Sequence, residues 1–149
     1  MSLIEETAAG LDGLAQLRKL IACARKPGIM VSLDFEFIEV EAGRAVFVGV
    51  PGDHAYNPIG TVHGGYAATL LDSACGCSVH SCLTATQAYT TLELKVAYHK
   101  ALTRDTGLLR AEGRVLSIGR RAAFAEATLR DASGRLFASA TSTLLVMER

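Results

Sequence analysis

Apolar and polar positions along this chain keep two different rhythms, and the changes of rhythm mark its elements. Between Leu11 and Arg25 the apolar residues fall at Leu11, Leu14, Leu17, Ile21 and Cys23 or Ala24, with basic residues opposite. That spacing predicts a helix, and Pro27-Gly28 stops it. From Val31 the period is two. Val31, Leu33, Phe35 and Phe37 alternate with Ser32, Asp34 and Glu36, which predicts a strand. Glu41-Ala42-Gly43 reads as a turn, and Arg44–Val50 as a second, nearly continuous apolar strand. Pro51–Gly65 is rich in Gly and Pro and reads as an irregular loop.

Tyr66 to about Leu83 contains no breaker cluster and predicts a second helix. Its residues are unusually small: Ala67, Ala68, Ser73, Ala74, Cys75, Gly76, Cys77 and Ser78. Small side chains let neighbouring backbones approach, so this helix is expected to be packed closely on several sides. Four strand candidates follow at Leu92–Tyr98, Leu108–Leu116, Ala122–Arg130 and Leu136–Val146. The turn chemistry between them, at Asp105–Gly107, Ser117–Gly119 and Asp131–Gly134, predicts an antiparallel meander. The order as a whole predicts an α+β fold, with one curved sheet around the small-residue helix and the first hairpin joining or covering it.

Composition narrows the functional classes. A chain of 149 residues and 15.8 kDa, half of them apolar, buries a sizeable core and has the size of one domain. Residues 1–27 are expected to be a helical extension of that domain. Lys plus Arg and Asp plus Glu both count 15, so the formal net charge is zero. That speaks against a basic nucleic-acid binder and against electrostatic membrane binding. With a positive mean hydropathy it leaves little charge repulsion between copies, so self-association is expected. No apolar run reaches the ~18–20 residues of a membrane span. Glu5 and Glu6 in the first residues are unlike a signal peptide. Cys23, Cys75, Cys77 and Cys82 form no disulfide framework, and reduced thiols in a cytoplasm are the expectation.

The chemistry concentrates in Asn57-Pro-Ile-Gly60-Thr-Val-His63-Gly64-Gly65 and the helix after it. Glycines at a helix start let a ligand carbonyl approach the backbone. The first N–H groups of a helix have no internal partner and lie at the positive end of its dipole, where an oxyanion is stabilised. Asp72 lies in the apolar run Thr-Leu-Leu-Asp-Ser-Ala-Cys, and a carboxylate there is costly unless hydrogen-bonded or used.

With these residues the chain resembles the hotdog-fold acyl-CoA thioesterases of the PaaI-like (phenylacetate-degradation) type. The shared pattern is Asn, then Gly-x-x-His-Gly-Gly, then an acidic residue nine positions after the His, here Asn57, Gly60, His63, Gly64, Gly65 and Asp72. Thr90–Tyr98 resembles the strand after the family's helix, and Gly119–Phe124 resembles a later turn and strand. The likeness runs from about Val31 to Val146.

The resemblance implies hydrolysis of an acyl-CoA to free acid and CoA, without a cofactor. Gly64 N–H would polarise the thioester carbonyl. Asp72 would act as general base on water, or attack to give an anhydride. Asn57 would hold the water or the carboxylate, and His63 would orient the loop. Gly65 would lie at the substrate, with Thr91, or Thr90 after a one-residue shift, placing the water. Arg120 and Arg121 would meet the CoA phosphates.

Nine residues at ~1.5 Å rise put His63 and Asp72 ~13–14 Å apart along one helix. Gly64 and Asp72 can then serve one carbonyl only from different subunits. A homodimer is therefore expected as the minimal unit, and a dimer of dimers as the assembly.

Other readings are weaker. Cys75 and Cys77 point ~200° apart on a helix, so with His80 and Cys82 they predict core packing and no metal site. A non-catalytic acyl-CoA-binding module of this fold leaves Asp72 without a task. A dehydratase or hydratase places its His and acidic residue in other motifs. Tyr66, Leu70, Val79 and the N-terminal helix are expected to line the acyl pocket. That helix reads as a lid or dimer-packing element.

Overall fold

The computed structural model describes residues 2–149. Helices α1 (Leu3–Ala8), α2 (Gly13–Ala22) and α3 (Gly28–Leu33) precede strands β1 (Phe35–Glu41) and β2 (Arg44–Gly49). The long helix α4 (Gly64–His80) comes next, followed by β3 (Gln87–Tyr98), β4 (Leu109–Ile118), β5 (Ala122–Asp131) and β6 (Leu136–Glu148). All six strands form one antiparallel sheet in the order β1-β2-β4-β5-β6-β3.

The concave face of the sheet holds α4. Leu70, Leu71, Ala74, Cys75 and Val79 are fully buried against Ala45, Phe47, Ala111, Ala125 and Leu144. The small residues do what their size suggests. A Cβ on Gly113 of β4 would overlap the carbonyl of Ala74, so helix and strand backbones are in direct contact. This is the expected hotdog arrangement of a sheet curved around one helix.

Three details differ from the sequence reading. The predicted meander is broken, because β3 pairs with β6 at the far edge and β4 lies beside β2. The ten residues 99–108 between β3 and β4 can reach up to ~33 Å extended, and crossing three strand spacings needs only ~14 Å. Such a connection has no need to be a hairpin. The strand expected from Val31 begins instead at Phe35. Val31–Leu33 belong to α3, which Asp34 closes in the left-handed conformation at φ 51°. Met30 anchors α3 in the core.

The helix expected over Leu11–Arg25 is the shorter α2, which ends at Ala22, and a separate helix α1 precedes it. Ser2 and Glu5 form a reciprocal capping box that starts α1. Asp12 caps α2 through Ala15 N–H. The α2 helix is fastened to the end of α4. Gly13 N–H donates to the Leu83 carbonyl at 2.9 Å. His80 Nε2 and Gln16 Oε1 are 2.7 Å apart, both side chains buried.

Candidate active site

His63 caps α4. Its Nδ1 accepts from Gly65 N–H at 2.8 Å, which leaves the neutral ring's proton on Nε2. The helix therefore starts at Gly64, two residues before the sequence boundary. Tyr98, at the end of β3, donates its hydroxyl to the Gly64 carbonyl at 2.8 Å. The peptide joining Gly64 and Gly65 is thus held on both sides. Among the described residues, Gly64 N–H itself has no acceptor. It is an orphan donor at a helix N-terminus, the arrangement that suits a developing oxyanion.

Asn57 is committed to its own loop. Its Oδ1 accepts from Ile59 and Thr61 N–H, and its Nδ2 donates to the Thr61 hydroxyl at 2.8 Å. Gly60, at φ 87°, closes this turn in a conformation that favours glycine. The side chain thus shapes the approach to His63, and it lines neither of the two cavities described next.

Asp72 is half-buried on α4, and its Oδ1 accepts the Thr91 hydroxyl at 3.0 Å. Thr90 is exposed on the other face of β3 and makes no side-chain hydrogen bond among the described residues, so of the two threonines only Thr91 meets Asp72. A β-bulge lies between Thr91 and Glu93, with Leu92 as the extra residue. It shifts the in–out alternation by one. Thr91 and Tyr98, an odd number of positions apart, therefore both turn toward α4.

Gly64 and Asp72 line different cavities of the chain. Gly64, Gly65 and His63 border one of about 500 Å³ together with Tyr98, Lys100 and Phe137. Asp72 borders one of about 420 Å³ whose walls include Met30, Phe37, Phe47, Cys77 and Leu94. Phe37 and Phe47 stack with centroids 4.4 Å apart and rings 9° from parallel.

The expected pocket residues fare unevenly. Leu70 and Val79 are fully buried in the core and line neither cavity. They project from the sheet side of α4, which the even apolar composition of that helix did not reveal. Tyr66 borders a third space of about 330 Å³ with His54, Tyr56 and Thr69. Its buried hydroxyl has no partner among the described residues, and burial pushes its pKa up to about 12. The N-terminal helix does contribute, through Leu20.

Arg120 and Arg121 are exposed on the β4–β5 turn, free of ion pairs among the described residues, and line neither cavity. Cys75 is buried and Cys77 half-buried. Burial first, and the Asp72 carboxylate second, push both thiols up to about 12. Among the described residues no three His, Cys, Asp or Glu side chains stand close enough to hold a metal ion. No helix among them is long and apolar enough to cross a membrane.

Sequence reasoning missed Tyr98 and the Phe37–Phe47 pair as site residues. Tyr98 sits in a strand pattern with nothing to mark its hydroxyl as a clamp. The two phenylalanines read as ordinary inward strand residues.

The curved sheet, the central helix and the glycine helix start define the class as a hotdog-fold protein. The model of the thioesterase superfamily matches residues 59–138, and the chain belongs to that superfamily. A thioesterase family protein from Silicibacter pomeroyi is 25% identical with a TM-score of 0.76, covering 83% of this chain and 91% of its own. A Streptococcus mutans protein solved with acetyl CoA bound is 27% identical at a TM-score of 0.70, covering 77% and 90%. A Haemophilus influenzae thioesterase, at 17% identity and a TM-score of 0.77 over 91% and 90%, shares the fold. A search of curated proteins returns no match.

Proposed function

We propose that this protein hydrolyses acyl-CoA thioesters as a PaaI-like enzyme of the cytoplasm. The observation that carries the reading is the presence of two half-sites on one helix. One is Asp72, fixed by the Thr91 hydroxyl at the edge of an apolar cavity. The other is an unpaired Gly64 N–H at a clamped helix start. Eight residues of helix separate them by ~12 Å, too far for one carbonyl. Two chains related by a two-fold axis, with their α4 helices antiparallel, would bring Asp72 of one beside Gly64 of the other. Among the described residues the outer edge of β3 has no neighbouring strand in the sheet, which leaves its backbone open to a second copy. A homodimer is then the minimal unit, and dimers pair into a tetramer.

In this reading Gly64 N–H and the helix dipole polarise the thioester carbonyl. Asp72 takes a proton from water, whose oxygen bonds to the carbonyl carbon. The tetrahedral intermediate collapses with cleavage of the C–S bond, and the proton passes to the CoA thiolate. Acid and CoA leave. Thr91 holds one carboxylate oxygen and leaves the other for the water. His63 and Asn57 hold the loop, and Gly65 keeps the approach open. Arg120 and Arg121 meet the phosphates of CoA, the ligand found in the S. mutans relative. The test is thiol release from an acyl-CoA panel. Asp72→Ala should cut kcat by about 10²-fold or more with the fold unchanged. A variant turning over at the wild-type rate would refute the assignment.

A further inference from the structure

The cavity beside Asp72 is walled on one side by the helices that precede the sheet. Leu20, Pro27, Ile29 and Met30, from α2, α3 and the turn between them, close one side of it. All four precede residue 59, where the superfamily match begins. Leu20 lies on the helix fastened by the Gly13–Leu83 and Gln16–His80 hydrogen bonds, and Met30 anchors α3 in the core. Among the described residues lining the cavity, Asp72 alone is charged.

Size and charge together restrict what enters. At ~30 Å³ for each water-sized group, a volume of about 420 Å³ holds about 14 heavy atoms. An aryl-acetyl group or a medium-length acyl chain fits within that, whereas a chain of about sixteen carbons overruns it. A second carboxylate would be desolvated beside Asp72, which disfavours dicarboxylic acyl groups.

Resting on the hydrolase reading above, we infer that residues 20–30 form the roof of an acyl chamber for uncharged apolar groups of up to about 14 heavy atoms. Met30 and Ile29 set its limit. Met30 is buried in the roof, and Ile29 is 53% exposed at its rim.

The test is kcat/KM over straight-chain acyl-CoAs from about two to about eighteen carbons, with phenylacetyl-CoA and succinyl-CoA added. The wild type should peak at medium length, accept phenylacetyl-CoA, and discriminate against succinyl-CoA by about 10²-fold or more. Met30→Ala deepens the chamber and should raise the long-to-medium ratio at least about tenfold. Ile29→Trp should move the peak to shorter chains. Its position on the surface makes it folding-neutral, so it decides the question if Met30→Ala does not fold. A wild-type peak at the longest chains, or equal use of succinyl-CoA, overturns the inference. So does a length profile unmoved by either variant while Asp72→Ala abolishes turnover, and in that case the hydrolase reading stands. Wild-type enzyme inactive on every thioester removes both.

Discussion

Gly13 and Gly28 look alike in the sequence, and the structure assigns them opposite costs. Each is the first residue of a helix, and neither has a positive φ. Propensity alone makes replacement by Ala favourable at both, by up to ~1 kcal/mol. Gly28 has no atom within 4 Å of where a Cβ would stand. A Cβ on Gly13 would enter the His80 carbonyl oxygen, a backbone atom at the end of α4 that no rotamer change can move. Relief requires α2 to lift by about 1 Å. That stretches the Gly13–Leu83 bond and the buried Gln16–His80 pair. Overpacking costs ~1–3 kcal/mol and a weakened hydrogen bond ~0.5–1.5. After the propensity gain the net is a loss of about 0.5–4.5 kcal/mol, with its middle near 2–3. At ~2–4 °C per kcal/mol for a chain of this size, Tm should fall by ~5–10 °C in Gly13→Ala and hold or rise in Gly28→Ala. Paired melts followed by circular dichroism measure this. Equal shifts in the two variants would refute the claim that α2 docks on α4 through a backbone contact.

Burial, with Arg149 as a smaller cause, lowers the His80 pKa to about 4, against 6.5 when unfolded. The unfolded chain therefore binds a proton below pH 6.5 that the folded chain refuses until about pH 4, and stability is lost as pH falls through that window, by up to ~3 kcal/mol. Urea unfolding at several pH values should show this slope flattened in His80→Gln, and an unchanged slope counts against it. Asp72→Ala and Gly64→Pro should each be inactive, and verified heterodimers of the two should recover about one working site. Pro suits the first helical position, and His63 already has the extended backbone that a following Pro requires. Failure of folded heterodimers to recover activity would end the shared-site proposal. A thiol reagent should modify exposed Cys82 rapidly and leave Cys75 untouched until the chain unfolds. Early loss of the Cys75 thiol, located by peptide mapping, would contradict its burial.

Short-range patterns carried much of this. The period-two runs and Gly-containing turns placed β2, β4, β5 and β6 within a few residues, and the small residues of α4 foretold its contact with β4. The count from His63 to Asp72 set the separation of the two candidate groups, because helix rise converts a count into a distance. What depended on partners far along the chain was not legible. The place of β3 beside β6 rests on a pairing across some fifty residues, while the local text favoured a hairpin. The alternation from Val31 to Leu33 was too short to separate a strand from one turn of helix. Tyr98 gained its role from Gly64, which lies 34 positions earlier.

The bulge at Leu92 places a constraint on how this fold can vary. Thr91 steadies Asp72 and Tyr98 steadies Gly64, so one strand reaches both groups on which the proposed chemistry depends. In an unbroken strand, residues seven positions apart point to opposite faces. Without the extra residue, either Thr91 or Tyr98 would turn away from α4, and no side-chain substitution could bring it back. Loss of one residue between them is therefore expected to be far more damaging than any replacement of Leu92, whose side chain lies largely in solvent. At this position the length of the chain is under tighter constraint than the identity of the residue, and drift in sequence is tolerated where drift in count is not.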